Sequence, residues 1–304
     1  VGRRRVLALA AAARRRHSER GRTAAGTVNL RELLARASAR IGGDAARLEA
    51  ELLLAHMLGV SRAKLYAWPE LVPDADSRAR FERAIEARAA GEPVAYLLGH
   101  REFWKLDLSV SPAVLIPRPE TERLVELALE RIAPDRAVRI ADLGTGSGAI
   151  ALAIASERPR ARVLATDASA DALVVARANA ERLAVRNVTF AQGDWCDALG
   201  ALRFDVIVSN PPYIAEGDPH LDAGDLPREP RSALASGVDG LDAIRRIVAC
   251  APAQLDPGGW LLLEHGWEQA SHVRALLVGA GFVAVESARD DAGHERVSLG
   301  RTRV

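Results

Sequence analysis

Three observations predict an α/β fold, a doubly wound sheet preceded by a small helical domain. From residue 138 onward, short apolar runs rich in β-branched residues alternate with segments of helical periodicity. A glycine-rich turn, Gly144-Thr145-Gly146-Ser147-Gly148, separates the first such run from the helix that follows it. Before residue 93 the pattern is helical alone. At 304 residues the chain exceeds the usual size of one domain, so two are expected.

Composition narrows the classes. A 49% hydrophobic content is ordinary for a globular protein, and no apolar run approaches the about 20 residues of a spanning helix. Cys196 and Cys250 are far apart in sequence and lack metal-ligand spacing. That suits a reducing cytosol and argues against a disulfide or a zinc site, so no metal is expected. The net charge of +1 conceals an uneven distribution. Residues 1–27 carry eight Arg and one acid, leaving 33 basic and 39 acidic residues, or −6, for the rest. A body of that sign is not expected to bind nucleic acid.

Residues 1–27 are read as a disordered basic leader. Their apolar run, Val6–Ala13, is short, and Arg14 stands where a signal cleavage site would be. Residues 28–92 form the helical domain. Leu30, Leu33, Leu34, Ala37 and Ile41 recur at helical spacing until Gly42-Gly43. Asp44 is expected to cap a second helix with Leu48, Leu52, Leu53, His56 and Met57 on one face. A third, from Ala75 to Ala90, uses Phe81 and Ile85. No cluster of catalytic residue types occurs here, so the domain is assigned to substrate recognition, with His56 an ordinary helix-face residue.

Residues 93–116 read as a β-hairpin linker, with Phe103, Leu106, Leu108 and Val110 as its apolar positions. The remaining domain is 117–304. Pro117 and Pro119 hold Arg118 extended before a helix opened by Glu120. Arg118 is either a surface residue or a lid or substrate contact.

Arg139–Leu143 is a strand, 144–148 the turn, and a helix begins at Ala149. The next strand, Arg162–Thr166, ends in Asp167, where a carboxylate can hold a ribose diol through two hydrogen bonds. The dinucleotide spacing Gly-x-Gly-x-x-Gly is absent, whereas Asp142, Gly144, Gly146 and Gly148 meet Asp-x-Gly-x-Gly-x-Gly. A third strand, Val188–Ala191, leads to Asp194 and Trp195, either of which can contact an adenine.

Phe204–Val208 is a buried strand that stops at Asn210-Pro211-Pro212-Tyr213. Two prolines force an extended exit and leave carbonyls without helical partners. Asn210 Oδ1 and the Pro211 carbonyl can each accept one hydrogen of a planar –NH2 group while Tyr213 stacks on its face. The polar stretch 215–240 suits a substrate-covering loop. Helix Leu241–Leu255, strand Trp260–Glu264, a helix to Gly279 and two closing strands complete the chain, with His265 as a loop residue. No strong base is evident near the Asn210 loop.

Taken together, Gly91-Glu92-Pro93, Arg101-Glu102-Phe103-Trp104, Ile116–Glu122, Asp142–Gly148, Asn210–Ile214 and Leu263-Glu264-His265-Gly266 resemble the release factor glutamine methyltransferase family. The likeness covers residues 28–301. It implies a Rossmann-like S-adenosylmethionine-dependent methyltransferase sheet, a cytoplasmic enzyme, and methylation of the glutamine amide in the Gly-Gly-Gln motif of peptide chain release factors. By that likeness Gly144, Thr145, Gly146, Ser147, Gly148, Asp167, Trp195 and Asn210 bind S-adenosylmethionine. Asn210, Pro211, Pro212 and Tyr213 would hold the glutamine, with Asn210, Pro211 and Tyr213 catalytic.

Rival readings make different predictions. An adenine-N6 methyltransferase needs a basic groove or a target-reading domain. A non-catalytic S-adenosylmethionine-binding module predicts binding without turnover. An NAD oxidoreductase needs the other glycine spacing.

Overall fold

The computed structural model describes residues 28–304, so the expected leader lies outside the described residues. The chain divides into two compact units at Glu86/Ala87.

The first unit is helical. Helix α1 (Leu30–Ile41) starts at Asn29, whose side chain accepts the Glu32 N–H at 2.9 Å, and it buries Leu30, Leu33, Leu34 and Ala37 as the periodicity predicts. Helix α2 (Ala46–Leu58) departs from expectation. It begins after Ala45 with no side-chain cap, so Asp44 does not cap it. Its buried residues are Ala46, Ala50, Glu51, Leu53, Leu54 and Ala55, while Leu48 is exposed. The face is rotated because Glu51 turns inward, paired with Arg47 and Arg62 and accepting the Tyr66 hydroxyl. Helix α3 (Arg62–Ala67) carries no apolar repeat and buries only Leu65, so periodicity could not find it. Helix α4 (Ala75–Ala89) packs through Phe81, Ala84 and Ile85.

The second unit opens with a short helix, α5 (Val94–Leu98), where the sequence suggested hairpin. The hairpin itself is β1 (His100–Phe103) paired antiparallel with β2 (Leu106–Ser109), and Trp104-Lys105 makes the turn. A single 3₁₀ turn, Pro119–Thr121, then leads into α6 (Glu122–Arg131).

Seven strands make the main sheet: β3 (Arg139–Leu143), β4 (Arg162–Asp167), β5 (Val188–Gln192), β6 (Phe204–Ser209), β7 (Leu255–Glu264), β8 (Val283–Arg289) and β9 (Glu295–Arg301). Their order is β5-β4-β3-β6-β7-β9-β8. β3 to β7 are mutually parallel, and β9 runs antiparallel to both β7 and β8, which gives the expected closing hairpin.

Helices α7 (Ala149–Glu157), α8 (Ala170–Arg182), α9 (Asp242–Gln254) and α10 (Ala270–Gly279) flank the sheet. Strand alternation divides the core between two faces. Ile140, Val206 and Val208 pack with α6 and α7, whereas Ala141, Leu143 and Ile207 pack with α9 and α10. The strand order reverses between β3 and β6, the point at which open α/β sheets bind ligands outside the carboxyl ends of their strands.

The cysteine expectation fails. Cys196 and Cys250 form a disulfide, with Cα atoms 6.2 Å apart across a sequence separation of 54. The turn after β5 and helix α9 share one face of the sheet, so distance along the chain says nothing of distance in space. Among the described residues no helix is long and apolar enough to cross a membrane.

Candidate active site

The turn after β3 is fixed by β4. The Gly144 and Thr145 N–H groups both donate to the Thr166 carbonyl, at 2.9 and 2.8 Å. The Gly146 N–H donates to Asp167 Oδ2 at 2.9 Å, and Asp167 Oδ1 accepts the Ser169 N–H at 2.9 Å. Asp167 therefore has a structural role beyond the expected one, and each carboxylate oxygen retains acceptor capacity. Gly144, Gly146 and Gly148 all have positive φ. At Gly146 a Cβ would meet nothing within 4 Å, so the bare backbone borders open space. A Cβ on Gly144 would lie 3.2 Å from the Trp195 ring, which brings that indole against the turn.

Asp142, at the end of β3, is fully buried. Its Oδ2 accepts the Thr145 hydroxyl at 2.6 Å and the Ala151 N–H at 3.2 Å, while Oδ1 has no partner. Burial, with the charge of Asp167 adding to it, pushes this carboxyl up to about 7 against the two hydrogen bonds. Asn179 on α8 was not anticipated. It is buried, donates to the carbonyls of Ser147 and Ser109, and accepts the Ser109 N–H, so it pins the glycine turn to the β-hairpin. An Asn on the inward face of a helix was the available signal.

Asp194 is less suited to a ligand than expected. Its carboxylate is engaged by Arg246 on α9, whereas Trp195 is only half-buried.

The second motif leaves β6 beside that turn. Ser209 ties the two strand ends together by donating to the Leu143 carbonyl at 2.6 Å. Asn210 Nδ2 donates to the Thr121 hydroxyl oxygen at 3.1 Å. Its Oδ1 is thereby left as the side chain's acceptor. The Tyr213 carbonyl accepts Gln269 Nε2 at 2.9 Å, and Gln269 Oε1 accepts the Gly266 N–H at 2.9 Å. A Cβ on Gly240, whose φ is +76°, would lie 2.2 Å from the Tyr213 oxygen, so that loop closes directly onto the motif. Ile214 continues the contact through a parallel bridge to Ala235.

The stretch after Tyr213 is thus more ordered than its polar sequence suggests, with 3₁₀ turns at Pro219–Asp222, Leu226–Arg228 and Arg231–Ala233. Buried Glu229 anchors it. The Glu229 carboxylate accepts the Ile116 N–H at 3.0 Å and pairs with the Arg118 guanidinium. Arg118, Arg88, His220 and Asp225 line a cavity of about 500 Å³ beside this loop.

Sequence reasoning also missed Glu264. The residue ends the apolar strand β7, fully buried, and Tyr213 donates to its Oε1 at 3.4 Å while Oε2 has no partner. Burial raises this carboxyl to about 7; the Thr121 hydroxyl and the Arg296 charge oppose the shift, and Glu120 adds to it. Burial and the Glu264 charge together raise the Tyr213 phenol, so it stays protonated. His265, expected in a loop, is buried at the strand end between the Gly266 carbonyl and the Ser298 hydroxyl. Burial lowers its basicity.

Comparison with known proteins agrees with this arrangement. A family model described as PrmC N-terminal domain matches residues 32–99, and one described as methyltransferase small domain matches 122–237. The release factor glutamine methyltransferase of Xylella fastidiosa (strain Temecula1) is 55% identical over 269 residues, 88% of this chain and 96% of that protein. That of Pseudomonas aeruginosa is 52% identical over 256 residues, covering 84% and 92%. The solved Thermus thermophilus 16S rRNA N2 G1207 methyltransferase, in complex with AdoMet and guanosine, superposes with a TM-score of 0.50 at 22% identity, covering 67% of this chain and 50% of that one. That likeness speaks to the fold, an S-adenosylmethionine-dependent methyltransferase sheet. The identity to curated relatives, sustained over most of both chains, shows that this chain belongs to the release factor glutamine methyltransferase family.

Proposed function

We propose that the protein methylates the side-chain amide nitrogen of the glutamine in the Gly-Gly-Gln motif of peptide chain release factors, using S-adenosylmethionine. The single observation that carries the reading is the Asn210 amide. With Nδ2 committed to Thr121, its Oδ1 is the acceptor available to a target –NH2 group. Membership of the family supports the substrate class.

S-adenosylmethionine, when bound, supplies a methyl group activated on a sulfonium. The turn Gly144 to Gly148 would hold it, with the open backbone at Gly146 giving the room and Asp167 the hydroxyl acceptor. Trp195 borders the same space. Asn210 is shared between cofactor and substrate.

A carboxamide nitrogen is a weak nucleophile because its lone pair is delocalised into the carbonyl. Asn210 Oδ1 and the Pro211 carbonyl bind its two N–H groups, direct the lone pair toward the methyl carbon and support the positive charge that develops. These two acceptors would hold the amide nitrogen while it takes the methyl that bound S-adenosylmethionine supplies, and one N–H proton would pass to solvent. Holding two reactants in line is worth roughly 7–11 kcal/mol in well-oriented cases. Pro212 keeps the motif extended, and Tyr213, protonated and half-buried, covers the amide and excludes water.

We assign residues 28–92 to substrate recognition and place the enzyme with its substrate in the cytoplasm, although the disulfide withdraws the cysteine argument for that location. The test is incubation with methyl-labelled S-adenosylmethionine and, separately, release factor, duplex DNA and RNA. Label should enter release factor alone. Label in nucleic acid would favour the adenine-N6 reading instead.

A further inference from the structure

We propose that the Cys196–Cys250 disulfide is a positioning link for the cofactor site: it holds Trp195 against the glycine turn, so that affinity for S-adenosylmethionine depends on thiol oxidation. This rests on the cofactor placement proposed above. The turn after β5 meets that site at two points. The Gly193 N–H donates to the backbone carbonyl of Asp167 at 3.0 Å, on the residue expected to hold the ribose. Two residues on, the Trp195 ring lies against Gly144, where an added Cβ would come within 3.2 Å of it. Trp195 keeps this place with φ at +48°, a left-handed backbone that a bulky side chain rarely adopts. Such a conformation persists only where the surroundings enforce it.

Two links flanking Trp195 enforce it. Asp194 pairs with Arg246, and Cys196 is joined to Cys250. Arg246 and Cys250 lie four residues apart on α9, on one face of the helix. The turn is therefore fastened to that helix immediately before and after the indole. The two fastenings differ in strength. The Asp194–Arg246 pair is exposed on both sides and contributes little, whereas the covalent link is buried at Cys196 and half-buried at Cys250. Ile247 and Val248 hold α9 in the core, so opening the link releases the turn and not the helix. Opening is a thiol–disulfide exchange. A thiolate attacks the more accessible Cys250 sulfur, the S–S bond breaks, and the Cys196 sulfur leaves with the electron pair and takes a proton. A second thiolate resolves the mixed disulfide, which leaves two protein thiols and one small-molecule disulfide. Closure is the reverse, with a disulfide of the glutathione type as the two-electron oxidant. Once the link is open, Trp195 can relax from its left-handed backbone, and that wall of the site is no longer formed before the cofactor arrives.

The experiment is calorimetric titration of S-adenosylmethionine into the full chain, equilibrated with excess glutathione disulfide or with dithiothreitol, with thiol counting to confirm each form. The oxidised protein should bind about tenfold more tightly, the scale of ordering one side chain in advance. Reoxidation of the reduced protein should restore the tight form. Cys196→Ser and Cys250→Ser should each bind like the reduced parent in both buffers. Equal affinity in the two forms of the parent overturns the inference alone, even where the oxidised form melts higher, because a link that serves only stability would give that result. A parent that keeps both thiols in glutathione disulfide also overturns it. Should the serine variants not fold, the two forms of the parent carry the test. A parent that binds no S-adenosylmethionine in either form overturns the cofactor placement and this inference together.

Discussion

At the scale of single residues, side chains proposed to meet ligand also hold the structure together. Asp167 is the clearest case, because the carboxylate expected to hold a ribose also fastens Gly146 and Ser169 through their N–H groups. Asp167→Ala should weaken S-adenosylmethionine binding by roughly 1.5–3 kcal/mol, the worth of a charged acceptor. Calorimetry on the folded variant measures this, and unchanged affinity would remove Asp167 from the site. Such double roles were only half legible in the sequence. Asn210 and Asp167 announced themselves by standing at strand ends, where polar groups meet ligands. Glu264 stands at a strand end too, but Tyr213, which donates to it, comes from a distant part of the chain, so its chemistry became visible only in three dimensions. Asn179 was hidden for the same reason.

At the scale of elements, strands were read more reliably than helices. Apolar runs such as Arg139–Leu143 and Phe204–Ser209 are buried on both faces, and burial of that kind leaves a compositional mark. Helices α3 and α5 are short and have little apolar repeat, so no periodicity reveals them. In α2 a buried Glu51, paired with two arginines and hydrogen-bonded by a tyrosine, displaced the stripe inferred from leucines alone. The stretch 215–240 read as polar loop because its order comes from contacts across the chain, Glu229 to Ile116 and Gly240 to Tyr213. The close approach of Gly240 makes a prediction. Gly240→Ala places a Cβ inside the Tyr213 carbonyl and strains a left-handed backbone, which should cost about 1–3 kcal/mol and displace the motif. Thermal unfolding together with methyl-transfer rate checks it. A variant with parental melting temperature and rate would show that this loop does not brace the site.

At the scale of the whole molecule, two buried carboxyls each withdraw stability as pH rises. Asp142 and Glu264 are both raised to about 7, above their unfolded values near 4. A raised acid binds its proton more tightly when folded. The stability it contributes is therefore complete below about pH 4 and is lost as pH rises through about 7. The loss is on the order of 3 kcal/mol for each group. Glu264→Gln should accordingly melt above the parent at pH 8 and close to it at pH 5. An equal difference at both values would mean that the folded Glu264 is not raised.

The central claim is that the loop beginning at Asn210 holds the amide to be methylated, and single-turnover transfer to release factor at saturating cofactor tests it most directly. The parent should place its methyl on the glutamine of Gly-Gly-Gln, located by mass spectrometry of the product peptide. Asn210→Ala, folded and loaded with cofactor, should do so about 10²–10³-fold more slowly, the cost of losing one preorganised hydrogen-bonding group. An Asn210→Ala enzyme that turns over at the parental rate under these conditions would contradict the account and leave the loop as a proline-rich turn.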